Sequence, residues 1–141
     1  MIHMVKLCVG VSSIEELESY RDERAHWWGA DYGEDVHVHR TRMMPKRAAE
    51  IAGRASIYWV IAGVIGCRQP ILRLQPYTDD EGKNYCDIIM SKELIRTVPY
   101  PKRPFQGWRY LEAKDAPPDL AANGNEGAEE IAADLARLGL L

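Results

Sequence analysis

Ser56-Ile57-Tyr58-Trp59-Val60-Ile61-Ala62-Gly63-Val64-Ile65-Gly66 is the stretch on which the fold turns. An apolar run bounded by Arg54 and Arg68 reads as a strand buried on both faces, hence central in a sheet. The most apolar part, Ile57–Cys67, is eleven residues long, against the ~20 that a membrane-spanning helix needs. Working outward, Arg68–Leu74 reads as a further strand, with Pro70 marking an edge or bulge. Thr78–Lys83, with Gly82, reads as a hairpin loop, and Asn84–Met90 as the returning strand. Upstream, Val36–Met43 alternates: Val36, Val38, Arg40 and Arg42 take one face and His37, His39, Thr41 and Met43 the other. Pro45 opens a short basic helix to Ala52, stopped by Gly53.

The ends follow the same logic. Residues 3–11 alternate as a strand, and Ser13 with Glu16 forms a capping box for a helix over 14–28 that stops at Gly29. Asp31–Asp35 is a polar turn. Ser91 is expected to cap one helical turn. The stretch 97–106, holding Pro99, Pro101 and Pro104, reads as an extended loop before a last strand over Trp108–Leu111. The chain divides into an α+β domain over 1–114, a linker over 115–127 and an amphipathic helix over 128–141, with Ile131, Leu135 and Leu138 on its apolar face. The expected architecture is a small mixed or antiparallel sheet, or partial β-barrel, with flanking helices and a C-terminal helix.

The 141 residues, 46% hydrophobic and 28% charged, suffice for one core without a metal or disulfide. The N-terminus lacks a long apolar segment, so no signal peptide is expected and the cytoplasm is the expected compartment. Cys8, Cys67 and Cys86 are odd in number, contain no C-x-x-C and read as buried thiols. Charge is segregated: net −5 over residues 1–35, +7 over 36–110 and −5 over 111–141. A basic middle either attracts an anion or docks on the acidic ends.

Catalytic signatures are sparse. His37-x-His39 puts two imidazoles on one strand face, but nothing selects a third ligand, so no metal and no cofactor is expected. There is no G-x-S-x-G and no phosphate-loop glycine pattern. The acidic cluster Asp79-Asp80-Glu81 reads as a solvated turn. The basic and aromatic residues make the stronger case. Arg40, Arg42, Lys46 and Arg47 follow one another on a strand and helix, while Lys102, Arg103 and Arg109 interleave with Tyr100, Phe105, Trp108 and Tyr110. Such cations neutralise phosphates, and aromatics stack on bases.

Three segments carry a family likeness: Thr41-Arg42-Met43-Met44-Pro45-Lys46-Arg47, Ser56–Gly63 leading to Arg68-Gln69, and Arg103-Pro104-Phe105-Gln106-Gly107-Trp108-Arg109-Tyr110-Leu111. Over residues 4–120 the chain resembles DUF1489, a mainly alphaproteobacterial family known only as a domain of unknown function; the acidic tail lies outside this likeness. The resemblance implies no catalytic residues. A helix ending in Ala52-Gly53 before long strands is also similar to the PUA and ASCH group of RNA-binding pseudo-barrels, an analogy of fold.

Three functional readings follow. The first is a non-catalytic binding domain for RNA or another phosphate-bearing ligand. In it Arg40, Arg42, Lys46, Arg47, Arg68 and Arg109 hold phosphates, Tyr58, Trp59 or Trp108 offers a stacking wall, and Gln69 and Gln106 give polar readout. The second is a small enzyme acting on an anionic metabolite or nucleotide, with Arg68, Gln69 and Arg109 as clamp and His37 or His39 as acid or base. The third is an interaction protein, a homodimer through the C-terminal helix. No membrane partner is expected. The first reading requires the cations of the middle segment to gather on one outer surface.

Overall fold

A computed structural model describes residues 1–21, 32 and 36–120. The chain runs β1 (Ile2–Leu7), a helical stretch over 14–21 (α1), β2 (Val36–Thr41), α2 (Ala48–Ile51), β3 (Ser56–Ile61), β4 (Val64–Thr78), β5 (Asn84–Ser91), β6 (Ile95–Pro101) and β7 (Trp108–Glu112). The strands form one seven-stranded sheet in the order β2-β5-β4-β3-β1-β7, with β6 also paired to β4. β1 runs parallel to β3, and the other pairings are antiparallel. The fold is therefore α+β and dominated by its sheet, as the alternating patterns imply.

The deciding apolar stretch is two strands rather than one. It turns at Ala62-Gly63, so that Ile61 pairs with Val64 and the second half opens β4. Both turn residues have positive φ, 52° at Ala62 and 79° at Gly63, as a two-residue hairpin turn requires. Alanine carries no turn signal and hydrophobicity continues through it, so periodicity alone reads a single strand. β3 is buried along its whole length, in keeping with a central place.

β4 is fifteen residues long and organises the sheet. Its first half pairs with β3 on one edge and β6 on the other, and its second half pairs with β5. β5 and β6 follow one another along β4, and the gap between them falls beside Pro70, which has no N–H to offer a partner. The proline-rich stretch expected as a loop thus supplies a strand, β6. Pro99 and Pro101 are tolerated because β6 is outermost here and its free edge is closed by a strap rather than a full ladder: Val98 N donates to Pro118 O (2.8 Å) and Leu120 N to Arg96 O (2.9 Å). The start of the expected linker 115–127 is therefore bound to the domain. The rest of it and the C-terminal helix lie outside the described residues.

Smaller differences have local causes. β1 stops at Leu7, before the positive φ of Gly10 (88°). Ser13 Oγ accepts from Glu16 N (3.1 Å), but the Glu16 carboxylate returns to Ser12 N and Oγ (2.7 and 2.6 Å) rather than to Ser13. The helix expected over 14–28 is seen at 14–21; the remainder, like the turn around Asp31–Asp35 apart from Tyr32, lies outside the described residues. α2 covers only Ala48–Ile51, with Arg47 as its cap. Ser91 Oγ accepts from Glu93 N (3.2 Å) in a bend with no helical turn.

Alternation gives the sheet two buried faces. Met4, Ile57, Trp59, Cys67, Ile71, Ile88 and Met90 form the main core with Leu17 of α1 and Ile51 of α2. Val5, Tyr58, Val60, Ile65 and Leu111 pack on the other face. The sheet is curled: β2 and β3 are three places apart in the strand order, about 14 Å in a flat sheet, yet the rings of His39 and Trp59 meet edge to face with centroids 5.5 Å apart. Curling also brings the segment after β2 against β7 at the other end of the order, where Arg47 N donates to Tyr110 Oη (3.1 Å). Among the described residues no helix is long and apolar enough to cross a membrane.

Candidate functional site

The predicted binding residues divide into three groups. The first is buried. Tyr58 lies in the second core with its ring against His3 (5.2 Å, T-shaped), and Trp59 is 1% exposed. Gln69 is fully buried: its Oε1 accepts from Trp59 Nε1 (2.9 Å), and its Nε2 meets Ser91 O and His37 Nδ1, both at 3.0 Å. Tryptophan can only donate and a carbonyl can only accept, so the amide orientation is fixed. His37 Nδ1 is then an acceptor, and the ring proton of the neutral imidazole sits on Nε2. Trp59 and Gln69 are framework of the concave face and Tyr58 packs on the opposite one, so none of the three is an open stacking wall or readout surface.

The second group is exposed or half-exposed but scattered and in part neutralised. Arg40 lies opposite Asp87 in the β2–β5 register and grips it with both Nε (2.6 Å) and Nη2 (2.9 Å). Its guanidinium covers Tyr77 at 3.7 Å, and Tyr32 Oη adds a bond to the same buried carboxylate (2.6 Å). Arg68 is held by both oxygens of Asp119 (2.8 Å each) and by Ser56 Oγ (2.7 Å), and this guanidinium holds the Asp119 carboxyl below its ordinary range. Arg109 lies over Phe105 (4.7 Å) on the opposite side of β7 from Trp108, and Gln106 is exposed in the preceding loop. The basic middle therefore does not gather on one surface.

The third group does converge. Arg42, Met43, Met44 and Lys46 face Gly107, Trp108 and Tyr110 across a groove of about 400 Å³. Its aromatic wall is the T-shaped Trp108–Tyr110 pair, centroids 5.0 Å apart, which alternation places on one face of β7. Arg42 reaches Asn84 O (3.1 Å) and stacks on Tyr85 (5.1 Å). Arg47, beside Tyr110, is paired with Glu50 through two 2.6 Å contacts. Among the described residues neither Arg42 nor Lys46 makes a salt bridge.

A separate cavity of about 280 Å³ lies on the concave face, between the end of β1, α1, β2 and β3. Lys6, Cys8, Arg21, His37, His39 and Trp59 line it. Arg21 Nη1 donates to Val38 O (3.1 Å) and its guanidinium sits 5.2 Å from the Trp59 ring. Burial first, then the charges of Arg21 and Lys6, push His39 down to about 3. Burial also lowers Lys6 and raises Cys8, whose thiol the two cations pull back in part. Both predicted histidines are here, but Arg68 and Arg109, the expected clamp of the enzyme reading, are not. Lys6 and Arg21 stand in their place. Their signal in the sequence was slight: Lys6 shares the parity of Ile2 and Met4, and Arg21 follows Leu17 by one helical turn. Among the described residues no three ligating side chains group as a metal site.

No curated protein and no solved structure matches the chain. A family model described as a protein of unknown function, DUF1489, matches residues 4–141, so the family pattern runs through the acidic tail instead of ending at 120. The groove, the cavity and the strands that build them all lie within that match, and the chain belongs to the DUF1489 family.

Proposed function

We propose that the protein is a binding domain for single-stranded RNA, engaged at the groove between the 41–47 segment and β7. The observation that carries this reading is the convergence of Arg42, Lys46 and Arg47 around the Trp108–Tyr110 pair. Two cations without salt bridges among the described residues supply charge for phosphates, and an aromatic wall beside them supplies a platform for bases. Salt-bridged Arg40 and Arg68 contribute little to such a surface, so binding is modest and confined to a short segment. A fluorescent oligouridylate, followed by anisotropy over a salt series, tests this. The parent binds with a log–log salt slope that falls by about 1.4 when Arg42→Ala and Lys46→Ala are combined, at roughly 0.7 per phosphate contact on a single strand. Trp108→Ala weakens binding by roughly tenfold while leaving the slope in place. Affinity and slope unchanged in both variants would refute the reading.

A further inference from the structure

We propose that the cavity under the strap at 116–119, where β1, β3 and β4 present His3, Tyr58 and Arg68, is a second binding site, for the phosphate of a small phosphomonoester, and that the Asp119 carboxylate stands in the place of that phosphate. This site is independent of the groove and is built from different residues.

The polar patch interrupts an apolar face. His3 sits beside Ser56 across the parallel β1–β3 pair, and Tyr58 lies opposite Arg68 in the β3–β4 register. Val5, Val60 and Leu111 make the rest of that side of the sheet apolar. His3 is 8% exposed and Tyr58 5%. Ser56 N donates to His3 Nδ1 (3.0 Å), so the proton of the neutral ring is on Nε2. Burial first, then the Arg68 charge, lower the His3 pKa and favour that neutral ring. Among the described residues neither His3 Nε2 nor Tyr58 Oη has a hydrogen-bond partner, and neither atom is sealed off from the cavity of about 420 Å³ that both side chains line. Polar groups buried this deeply ordinarily have partners, so these two donors call for an acceptor that enters the cavity. Arg54, exposed at its rim, makes no salt bridge among the described residues.

Asp119 shows what that acceptor resembles. Among the described residues of the lining it carries the one carboxylate, and both of its oxygens engage Arg68 (2.8 Å each). The charges of Arg68 and Asp119 both reach the Tyr58 phenol, so the pair stands beside the waiting donors. The pair is weakly held, because Asp119 is 43% exposed. Backbone bonds from Val98 N to Pro118 O and from Leu120 N to Arg96 O fix the strap without it, so the carboxylate can turn away while the strap stays in place. A carboxylate ligand would only repeat the two bonds to Arg68, against a rival tethered beside it. A phosphomonoester brings three acceptor oxygens and close to two charges. Two oxygens suit the Arg68 fork, the third takes His3 Nε2 and Tyr58 Oη, and Arg54 answers the second charge.

The test uses the full chain, with methyl phosphate as the probe and acetate as the control at constant ionic strength. NMR of the histidine ring protons follows occupancy at His3. Expected is a saturable shift with methyl phosphate and none with acetate at the same concentrations. Asp119→Asn removes the resident charge, keeps the backbone bonds of the strap and tightens methyl phosphate binding by about fivefold. A purely structural salt bridge gives no such gain. Tyr58→Phe, which keeps the ring against His3, and Arg54→Met each weaken binding by about fivefold. Arg54 is exposed, so its variant carries the test should either of the others fail to fold. Arg42→Ala combined with Lys46→Ala, which disables the groove, leaves the His3 shifts unchanged, so the two sites fail separately. The inference is overturned if methyl phosphate does not shift His3, if acetate binds as tightly, if folded Asp119→Asn shows no gain in affinity, or if Arg54→Met binds as the parent does.

Discussion

Gln69→Leu separates a residue that holds the fold from one that reads a ligand. Three partners depend on the Gln69 amide: Trp59 Nε1 at 2.9 Å, and Ser91 O and His37 Nδ1 at 3.0 Å each. The residue is 0% exposed, so water cannot take its place. Stranding each partner costs about 1–3 kcal/mol, while a leucine of similar size returns about 1 kcal/mol through apolar burial. The net loss is at least about 2 kcal/mol, which for a chain of this length lowers the melting temperature by roughly 6 °C or more. Thermal and urea melts followed by circular dichroism measure it. Gln106→Leu, exposed in the loop before β7, is the control and shifts stability by less than about 0.5 kcal/mol. A Gln69→Leu protein that melts within about 2 °C of the parent would refute the buried-hub argument. Lost ligand binding with intact stability would restore the readout role that sequence reasoning assigned to it.

Other outcomes follow from the same geometry. Ala62→Asn stabilises the β3–β4 hairpin by up to about 1 kcal/mol, because asparagine tolerates the positive φ that alanine adopts there under strain; a lower melting temperature would contradict the turn assignment. His39 is neutral in the fold, with its pKa moved from 6.5 to about 3. Stability from this group is therefore complete above pH 6.5, where the unfolded chain is also neutral, and is lost as pH falls towards 3 because only the unfolded state gains the proton. Urea melts between pH 7 and 5 should show a steeper loss in the parent than in a His39→Gln variant; equal slopes would count against the buried neutral imidazole. Burial pushes Cys67 up to about 12 and Cys86 up to about 11, and raises Cys8. A chromogenic disulfide reagent at pH 8 should then titrate none of the three thiols rapidly until denaturant is added, and rapid reaction of Cys67 or Cys86 would show the core to be open. Arg68→Ala and Asp119→Ala in a double-mutant cycle should couple by less than about 1 kcal/mol, since Asp119 is 43% exposed.

The strands at Ile2–Leu7, Val36–Thr41, Asn84–Ser91 and Trp108–Glu112 were legible because alternation is local: every second side chain meets the same environment. The two histidines were correctly placed on one face of β2 for the same reason. The Ala62-Gly63 turn and β6 were not legible. The first hides in unbroken hydrophobicity, and the second depends on a neighbour, β4, that lets a proline-bearing strand pair on its outer edge. In the candidate sites, Arg42, Lys46, Arg47 and Trp108 were chosen by residue type, yet they meet only because the sheet curls and carries the end of β2 to β7. Residue type and spacing alone determined that this is a sheet-rich α+β chain with a basic, aromatic middle. The tertiary structure decided which charges are neutralised by distant carboxylates, as Arg40 by Asp87 and Arg68 by Asp119, and which cations share a groove or a cavity. Charge pairing and concavity are made between residues tens of positions apart, and no local pattern encodes the curl that joins them.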